Sequence, residues 1–200
     1  MGLTGGLACG KTTACRYLQR LGVPTVDADE LSREVVLPGS SGLQQLLDYF
    51  GDAILQPQGS LNRPYLAKRV FSSTTDRVAV EKILHPLILQ KIREWSATIT
   101  TPYAIIAAPL LFEARWQSEV DHILVIDLPR EEQIKRAESR DQRSRQEIEA
   151  ILDSQWSRQQ RVAAADTTIA NSGLPKELEK RLLHFHQRLL KKLKSTNLPQ

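Results

Sequence analysis

The chain is 200 residues long, 41% hydrophobic and 25% charged, with a formal net charge of +4. That length holds one domain with a sizeable core, or a core with small appendages, and the balance is that of an ordinary soluble globular protein. The longest apolar run, Ala104 to Phe112, is nine residues, too short to cross a bilayer, so no membrane partner is expected.

In chain order, only Met1, Gly2, Leu3 and Thr4 come before the segment Gly5-Gly6-Leu7-Ala8-Cys9-Gly10-Lys11-Thr12, which fits G-x-x-x-x-G-K-[ST] in full. A loop of this kind hangs from a buried strand, so a strand is expected here; its abbreviated lead leaves open that the natural start lies further upstream. With the loop at the amino end no signal peptide is expected, and Gly6 stands where a myristoylation signal needs Ser or Thr. The backbone N–H groups of Gly6, Leu7, Ala8, Cys9 and Gly10 are expected to turn inward around an anionic phosphate. Lys11 reaches the β- and γ-phosphates in this reading, and Thr12 and Thr13 open a helix whose amino end faces the same charge. The Thr12 hydroxyl is a candidate Mg²⁺ ligand. A nucleoside triphosphate is therefore the expected ligand, against the plainer reading of a glycine turn before a helix.

Cys9 and Cys15 read as reduced thiols, which places the chain in the cytoplasm. A helix amino terminus favours thiolate, so a redox role for Cys9 stands beside the simpler reading of a small residue that fits its loop.

A second strand, Thr25-Val26, ends at Asp27-Ala28-Asp29, and residues 30–96 read as helices broken at Pro38-Gly39, Gly51 and Gly59. Short apolar runs at Tyr103 to Ala108, His122 to Asp127 and Thr167 to Ala170 read as buried strands. Strands alternating with helices predict a parallel α/β sheet with its ligand beyond the carboxyl ends of the strands.

Between two of those strands, Pro129 to Asp166 is dense in arginine. Ser144 and Glu147 form a capping box, so the segment reads as two helices joined at a polar turn near Asp141-Gln142-Arg143. Most of these arginines suit a solvated face; Arg136 and Arg140, one turn apart on one face, are expected over the phosphates. Residues 176–200 hold seven Lys or Arg and two Glu, with leucines at helical spacing. This is the pattern of an amphipathic helix packed on the domain, its lysines solvated, and no nucleic-acid partner is expected from it.

Asp27 and Asp29, two apart at a strand end, are expected to point to one side if the chain stays extended. One of them suits the proton acceptor that phosphoryl transfer to an alcohol requires, while Asp29 suits equally well the N-cap of a helix starting at Glu30.

At this point the residues carry a resemblance. Gly2 to Gly6 with Gly10-Lys11-Thr12, Val26 to Asp29 with Arg33, Val36 to Gly39, Leu61 with Arg63, and His85-Pro86 resemble the dephospho-CoA kinase family. So do Pro109 to Glu113, Ala165-Asp166 and Asn171-Ser172-Gly173, and the matches run in order from residue 2 to about 190. The resemblance implies ATP-dependent phosphorylation of the 3′-hydroxyl of dephospho-CoA, the last step of coenzyme A synthesis, with ATP and dephospho-CoA as substrates and Mg²⁺ as metal. It also implies a P-loop NTPase core with a five-stranded parallel sheet (residues 1–29, 97–129 and 166–200), a helical acceptor-binding segment (30–96) and a helical lid (130–165). Carried over by position, Asp29 looks like the base at the 3′-hydroxyl, with Asp27 nearer the metal. Arg33, Arg63, His85 and Pro86 shape or hold the acceptor, Arg140 is a lid arginine over ATP, and Asn171 lies toward the adenine. Taken alone, His85 reads as a helix-end histidine and Glu113 as a surface glutamate starting a helix.

This chain departs from the family's usual pattern at Ala8-Cys9, where Gly-Ser is commoner, at Asn62, often acidic, and at Ala107, often Asp. Metal ligation then falls on Thr12 and Asp27. Another small P-loop kinase is the competing reading; a guanine-nucleotide switch is disfavoured because no Asn-Lys-x-Asp motif is present. A monomer or small homo-oligomer is expected.

Overall fold

The computed structural model describes residues 1–196. Its first strand, β1 (Gly2–Thr4), is only three residues long, yet it lies at the centre of the sheet. The other strands are β2 (Thr25–Asp27), β3 (Ile105–Ala107), β4 (Ile123–Asp127) and β5 (Thr167–Ala170), in the order β2-β3-β1-β4-β5. Gly2 and Leu3 pair in parallel with Ile106 and Ala107 on one side and with Ile123 and Leu124 on the other. On the far side of β4, Leu124 to Asp127 run in register with Thr167 to Ala170. A strand with helices on both faces reads as a continuous apolar run rather than an alternating one, and β3 and β4 are buried at every position. That is why these two were legible as short apolar runs.

The shortness of β1 is offset by what surrounds it. The Met1 ammonium donates to the Ala104 carbonyl at 3.0 Å, and Gly2 N donates to the His122 carbonyl at 2.8 Å. Successive strands lie on opposite sides of β1, so its carboxyl end is a topological switch point, the place where such sheets bind ligands. The phosphate loop leaves from that end.

Two compact units divide the chain. The first is Met1–Thr25 with Ile99–Gln200 and the second is Val26–Thr98. In the first, α1 (Lys11–Arg20) buries Ala14, Cys15 and Leu18, and α9 (Pro175–Thr196) buries Leu178 and Leu182, one turn apart. With Leu3, Ile105, Leu124, Ile126 and Ile169 they form the main core. The carboxy-terminal amphipathic helix is present as its leucine spacing required, with Lys176, Lys180, Lys191, Lys192 and Lys194 exposed.

The arginine-dense segment holds three helices, where two were expected: α6 (Arg130–Asp141), α7 (Arg145–Ser154) and α8 (Arg158–Ala163). The Ser144–Glu147 capping box opens α7 as anticipated, and a second box, Ser157 with Gln160, opens α8. Between α7 and α8 the chain passes through Gln155 in extended conformation.

The second unit is helical: α2 (Ala28–Glu34), α3 (Ser41–Phe50), α4 (Arg63–Ser72) and α5 (Thr74–Ala97), with a 3₁₀ turn at Asp52–Ile54. Ser40, Asn62 and Ser73 cap the last three, each accepting from a backbone N–H three residues on. Asn62, which stands where an acid is common, is thus an N-cap. The breaks fall where the sequence put them, with Gly39, Gly51 and Gly59 all at positive φ.

Candidate active site

In the first unit the phosphate loop runs from β1 into α1. Gly10 is the residue before the helix, with φ 95° and no side chain to cap it, and no acidic residue stands in the first turn. The helix therefore begins with backbone N–H groups and carries no acidic residue of its own in that turn, which is the electrostatic preference of an anion site. Lys11 is half-buried at the first helical position, and Thr12 and Thr13 are exposed in the same turn. Glycine is required at Gly10 twice over: by its φ, and because a Cβ there would collide with the Asn171 carboxamide.

Ala8 takes φ 54°, a left-handed conformation that costs an L-residue on the order of 1–2 kcal/mol. Its cost is met by packing: Leu7 and Ala8 lie against Ile134, Ala137, Ile148 and Leu152 of α6 and α7. Cys9 is 1% exposed, and burial pushes its thiol up to about 11. Of the two readings of Cys9, this favours the simpler one, a small residue that fits its loop. The neighbouring amides and cations favour thiolate, but burial outweighs them, and Cys9 is a packed loop residue.

Asn171 follows β5 and is buried against the loop. Its Nδ2 donates to the Cys9 carbonyl at 2.7 Å, its backbone N–H to the Asp127 carbonyl at 2.7 Å, and its own carbonyl accepts from Arg136 Nη2 at 2.8 Å. Asn171, assigned to ATP by resemblance, thus braces the phosphate loop directly, and Arg136 braces Asn171. Arg140, a turn further along α6, is exposed and makes a bidentate pair with Asp141 at 2.6 and 2.8 Å. That pairing raises the guanidinium above its ordinary range.

Four residues missed at the sequence level complete this region. Arg161, read as one of a solvated set, is 5% exposed and donates Nη1 to the Trp156 carbonyl. Burial lowers its basicity, opposed by Glu113, Cys9 and Asp127. Gln133 is 2% exposed, donating to the Leu128 carbonyl at 2.6 Å. Gly6 backs directly onto both: a Cβ there would lie 2.5 Å from Arg161 Nη2 and 2.7 Å from Gln133 Oε1. Asp127 is held by Arg158 in a fork of 2.8 and 2.7 Å. Gln155 Oε1 accepts from Leu7 N at 3.2 Å. The only available signal was the Ser157–Gln160 capping box, which shows that the chain must turn at Gln155–Trp156.

Glu113 is not the surface residue opening a helix that its sequence context implied. It lies half-buried in a turn after β3, and its Oε1 accepts from Trp156 N at 2.7 Å. Phe112 beside it stacks on Trp156, ring centroids 4.9 Å apart and 13° from parallel.

In the second unit, β2 ends at Asp27 and α2 starts at Ala28, so the two acids do not share an extended strand. The N-cap is Asp27, not Asp29. Its Oδ1 accepts from Asp29 N at 2.9 Å, and Asp29 stands exposed in the first turn of α2. Arg33 closes the same helix, and its carbonyl accepts from Arg63 Nη2 at 3.4 Å; both side chains are exposed. Arg63 also lines a cleft of about 320 Å³ with Val36, Pro38, Leu61 and Pro64. His85 is not at a helix end. It lies mid-way along the 24-residue α5, whose helix runs through Pro86, and burial lowers its pKa against the opposing charge of Glu81. Ala107, at the position often acidic, is fully buried in the core. Among the described residues no cluster of three or more His, Cys, Asp or Glu is placed to hold a metal, and no helix is long and apolar enough to cross a membrane.

A family model described as dephospho-CoA kinase matches residues 1–177. The dephospho-CoA kinase of Sodalis glossinidius is 43% identical over 188 residues, covering 94% of this chain and 90% of that one. The Hahella chejuensis enzyme of the same name is 41% identical, covering 96% and 88%. Among solved structures, TT1252 from Thermus thermophilus aligns with TM-score 0.83 at 28% identity over 94% of this chain and 96% of that one. Dephospho-CoA kinase from Campylobacter jejuni aligns at 0.71 and 25% identity over 96% of each. A shikimate kinase from Bacteroides thetaiotaomicron, at 0.54 and 13% over 95% and 96%, shares the fold alone. Similarity that runs nearly end to end, in sequence and in fold, settles the kinship that the ordered motifs suggested: the chain belongs to the dephospho-CoA kinase family.

Proposed function

We infer that the chain transfers the γ-phosphoryl group of ATP to the ribose 3′-hydroxyl of dephospho-CoA, giving coenzyme A and ADP. Family membership supports the substrate pair. The observation that carries the nucleotide half is the loop itself: a complete phosphate-binding sequence at the carboxyl end of the central strand, opening a helix with no acid in its first turn.

The chemistry assigns roles as follows. The acceptor 3′-oxygen bonds to the γ-phosphorus as the bond to the β–γ bridging oxygen breaks, and ADP leaves with that oxygen. The acceptor's proton goes to Asp29, an exposed residue on the first turn of α2. Backbone amides of Gly6 to Thr13, with Lys11, hold the phosphates; Arg136 and Arg140 meet ATP oxygens from α6, and Asn171 stands toward the adenine. Arg33, Arg63, His85 and Pro86 receive the acceptor in the second unit, and residues 130–165 serve as the lid. Thr12 and Asp27 are the proposed donors to Mg²⁺, which takes few protein ligands and keeps substrate oxygens and water; when bound it would neutralise phosphate charge. We place this work in the cytoplasm, by a monomer or small homo-oligomer.

Release of ADP, followed with dephospho-CoA, AMP, uridine and shikimate as acceptors, tests the reading. Turnover is expected with dephospho-CoA; turnover confined to one of the other three would replace it.

A further inference from the structure

One peptide of the phosphate loop is gripped at both ends. The Gly6 carbonyl accepts from Cys9 N at 3.1 Å, which closes the turn of the loop, and the N–H of the same peptide unit, at Leu7, donates to Gln155 Oε1 at 3.2 Å. The second grip comes from 148 residues away. Gln155 stands on a fixed post. The next residue, Trp156, donates its N–H to Glu113 Oε1 at 2.7 Å, its carbonyl accepts from Arg161 Nη1, and its ring is stacked on Phe112. The second oxygen of Glu113 is buried without a hydrogen-bond partner, so the bond to Trp156 N is made by Oε1 alone.

We propose that Gln155 is a positioning residue for phosphoryl transfer, locking the Gly6–Leu7 peptide of the phosphate loop, and that Glu113 holds Gln155 in register to do so. The inference rests on the reading of the loop as an ATP site. A peptide held only at its carbonyl can rotate about the adjoining bonds, and rotation there would turn the amides that follow away from a phosphate. An acceptor on its N–H removes that freedom before the ligand arrives, so the ordering does not have to be supplied by binding. The acceptor is a neutral carboxamide, and the chemistry requires that. A carboxylate would accept the same N–H but place a negative charge beside the phosphates.

Two variants separate the roles. Gln155→Met keeps the side-chain length without an acceptor, and Gln155→Glu keeps an acceptor oxygen and adds charge. In nucleotide-free protein, hydrogen exchange of the Leu7 amide is expected to quicken about fivefold in Gln155→Met, the effect of losing one neutral hydrogen bond, and to stay slow in Gln155→Glu. ADP affinity falls about fivefold in Gln155→Met at any ionic strength. It falls in Gln155→Glu as well, but there the loss shrinks as salt is raised. KM for dephospho-CoA is unmoved in both. Glu113→Leu quickens Leu7 exchange as Gln155→Met does, and the double variant goes no further. The lock is overturned if Leu7 exchange in Gln155→Met matches wild type, or if exchange quickens while ADP affinity stays constant; additive effects of Glu113→Leu remove Glu113 from it. Should the wild-type protein bind no ADP, the nucleotide reading fails, and the exchange measurement still decides the lock.

Discussion

Asp29 and Cys9 show how position decides what a titratable group does. Asp27 supplies the helix cap, so the Asp29 carboxylate does not have to serve that end. If it takes the acceptor's proton, Asp29→Asn lowers turnover by about 100-fold or more with ADP affinity retained, because a general base contributes in the transition state. A fall in ADP affinity alongside turnover would mark a metal or structural role. Cys9 behaves oppositely to a reactive cysteine. Burial pushes its thiol up to about 11 in the folded chain, well above a thiol in water, so the folded chain keeps a proton that the unfolded chain releases. The stability this lends is fully present below pH 9 and is lost as pH climbs toward 11. Between pH 8 and pH 10 the wild type should lose on the order of 1 kcal/mol more than Cys9→Ala in urea unfolding. Equal losses would show that Cys9 ionises freely.

At the scale of elements, β1, the loop and α1 act as one device whose geometry is held from outside. Ala8 is the clearest case. At φ 54° its methyl is tolerated because α6 and α7 pack on it, but a β-branched side chain is not. Ala8→Val should cost about 2 kcal/mol or more, read as a lowered unfolding midpoint, whereas Ala8→Gly exchanges released strain for unfolded-state entropy and stays near wild type. Destabilisation by Gly as large as by Val would mean that the Ala8 methyl, not the backbone conformation, is the stabilising feature. The same device explains the third helix of the arginine-rich segment. The break between α7 and α8 delivers Gln155 to Leu7 and Trp156 to Phe112, so a continuous helix there would leave the loop without that support.

For the whole molecule, the binding of nucleotide is expected to register as stability. A ligand at 100 times its Kd stabilises the state it binds by about 2.7 kcal/mol. ADP at that excess should raise the thermal midpoint of the wild type, and Lys11→Ala should remove most of the rise at the same concentration, since Lys11 answers the phosphate charge. An undiminished shift in Lys11→Ala would take that lysine out of the site. Because two compact units divide the chain, the shift is best followed by a probe within the first, such as Trp156, against one in the second, such as Trp95.

What the sequence by itself determined was local and periodic. The glycine spacing of the loop, the apolar runs of β3 and β4, the breaks in residues 30–96 and the leucine spacing of α9 each involve neighbours within a few positions, and each could be read from them. The ordered motifs were enough for the family. Tertiary structure decided the rest. The Leu7 bond to Gln155 and the Cys9 bond to Asn171 join residues 148 and 162 positions apart, and the burial of Arg161 against Gly6 depends on how the sheet registers and where α8 lands. Nothing periodic distinguishes Arg161 from the arginines around it, nor Gln155 from any polar residue between two helices. Their roles arise only when the fold brings a donor to an acceptor and excludes the water that would otherwise serve both.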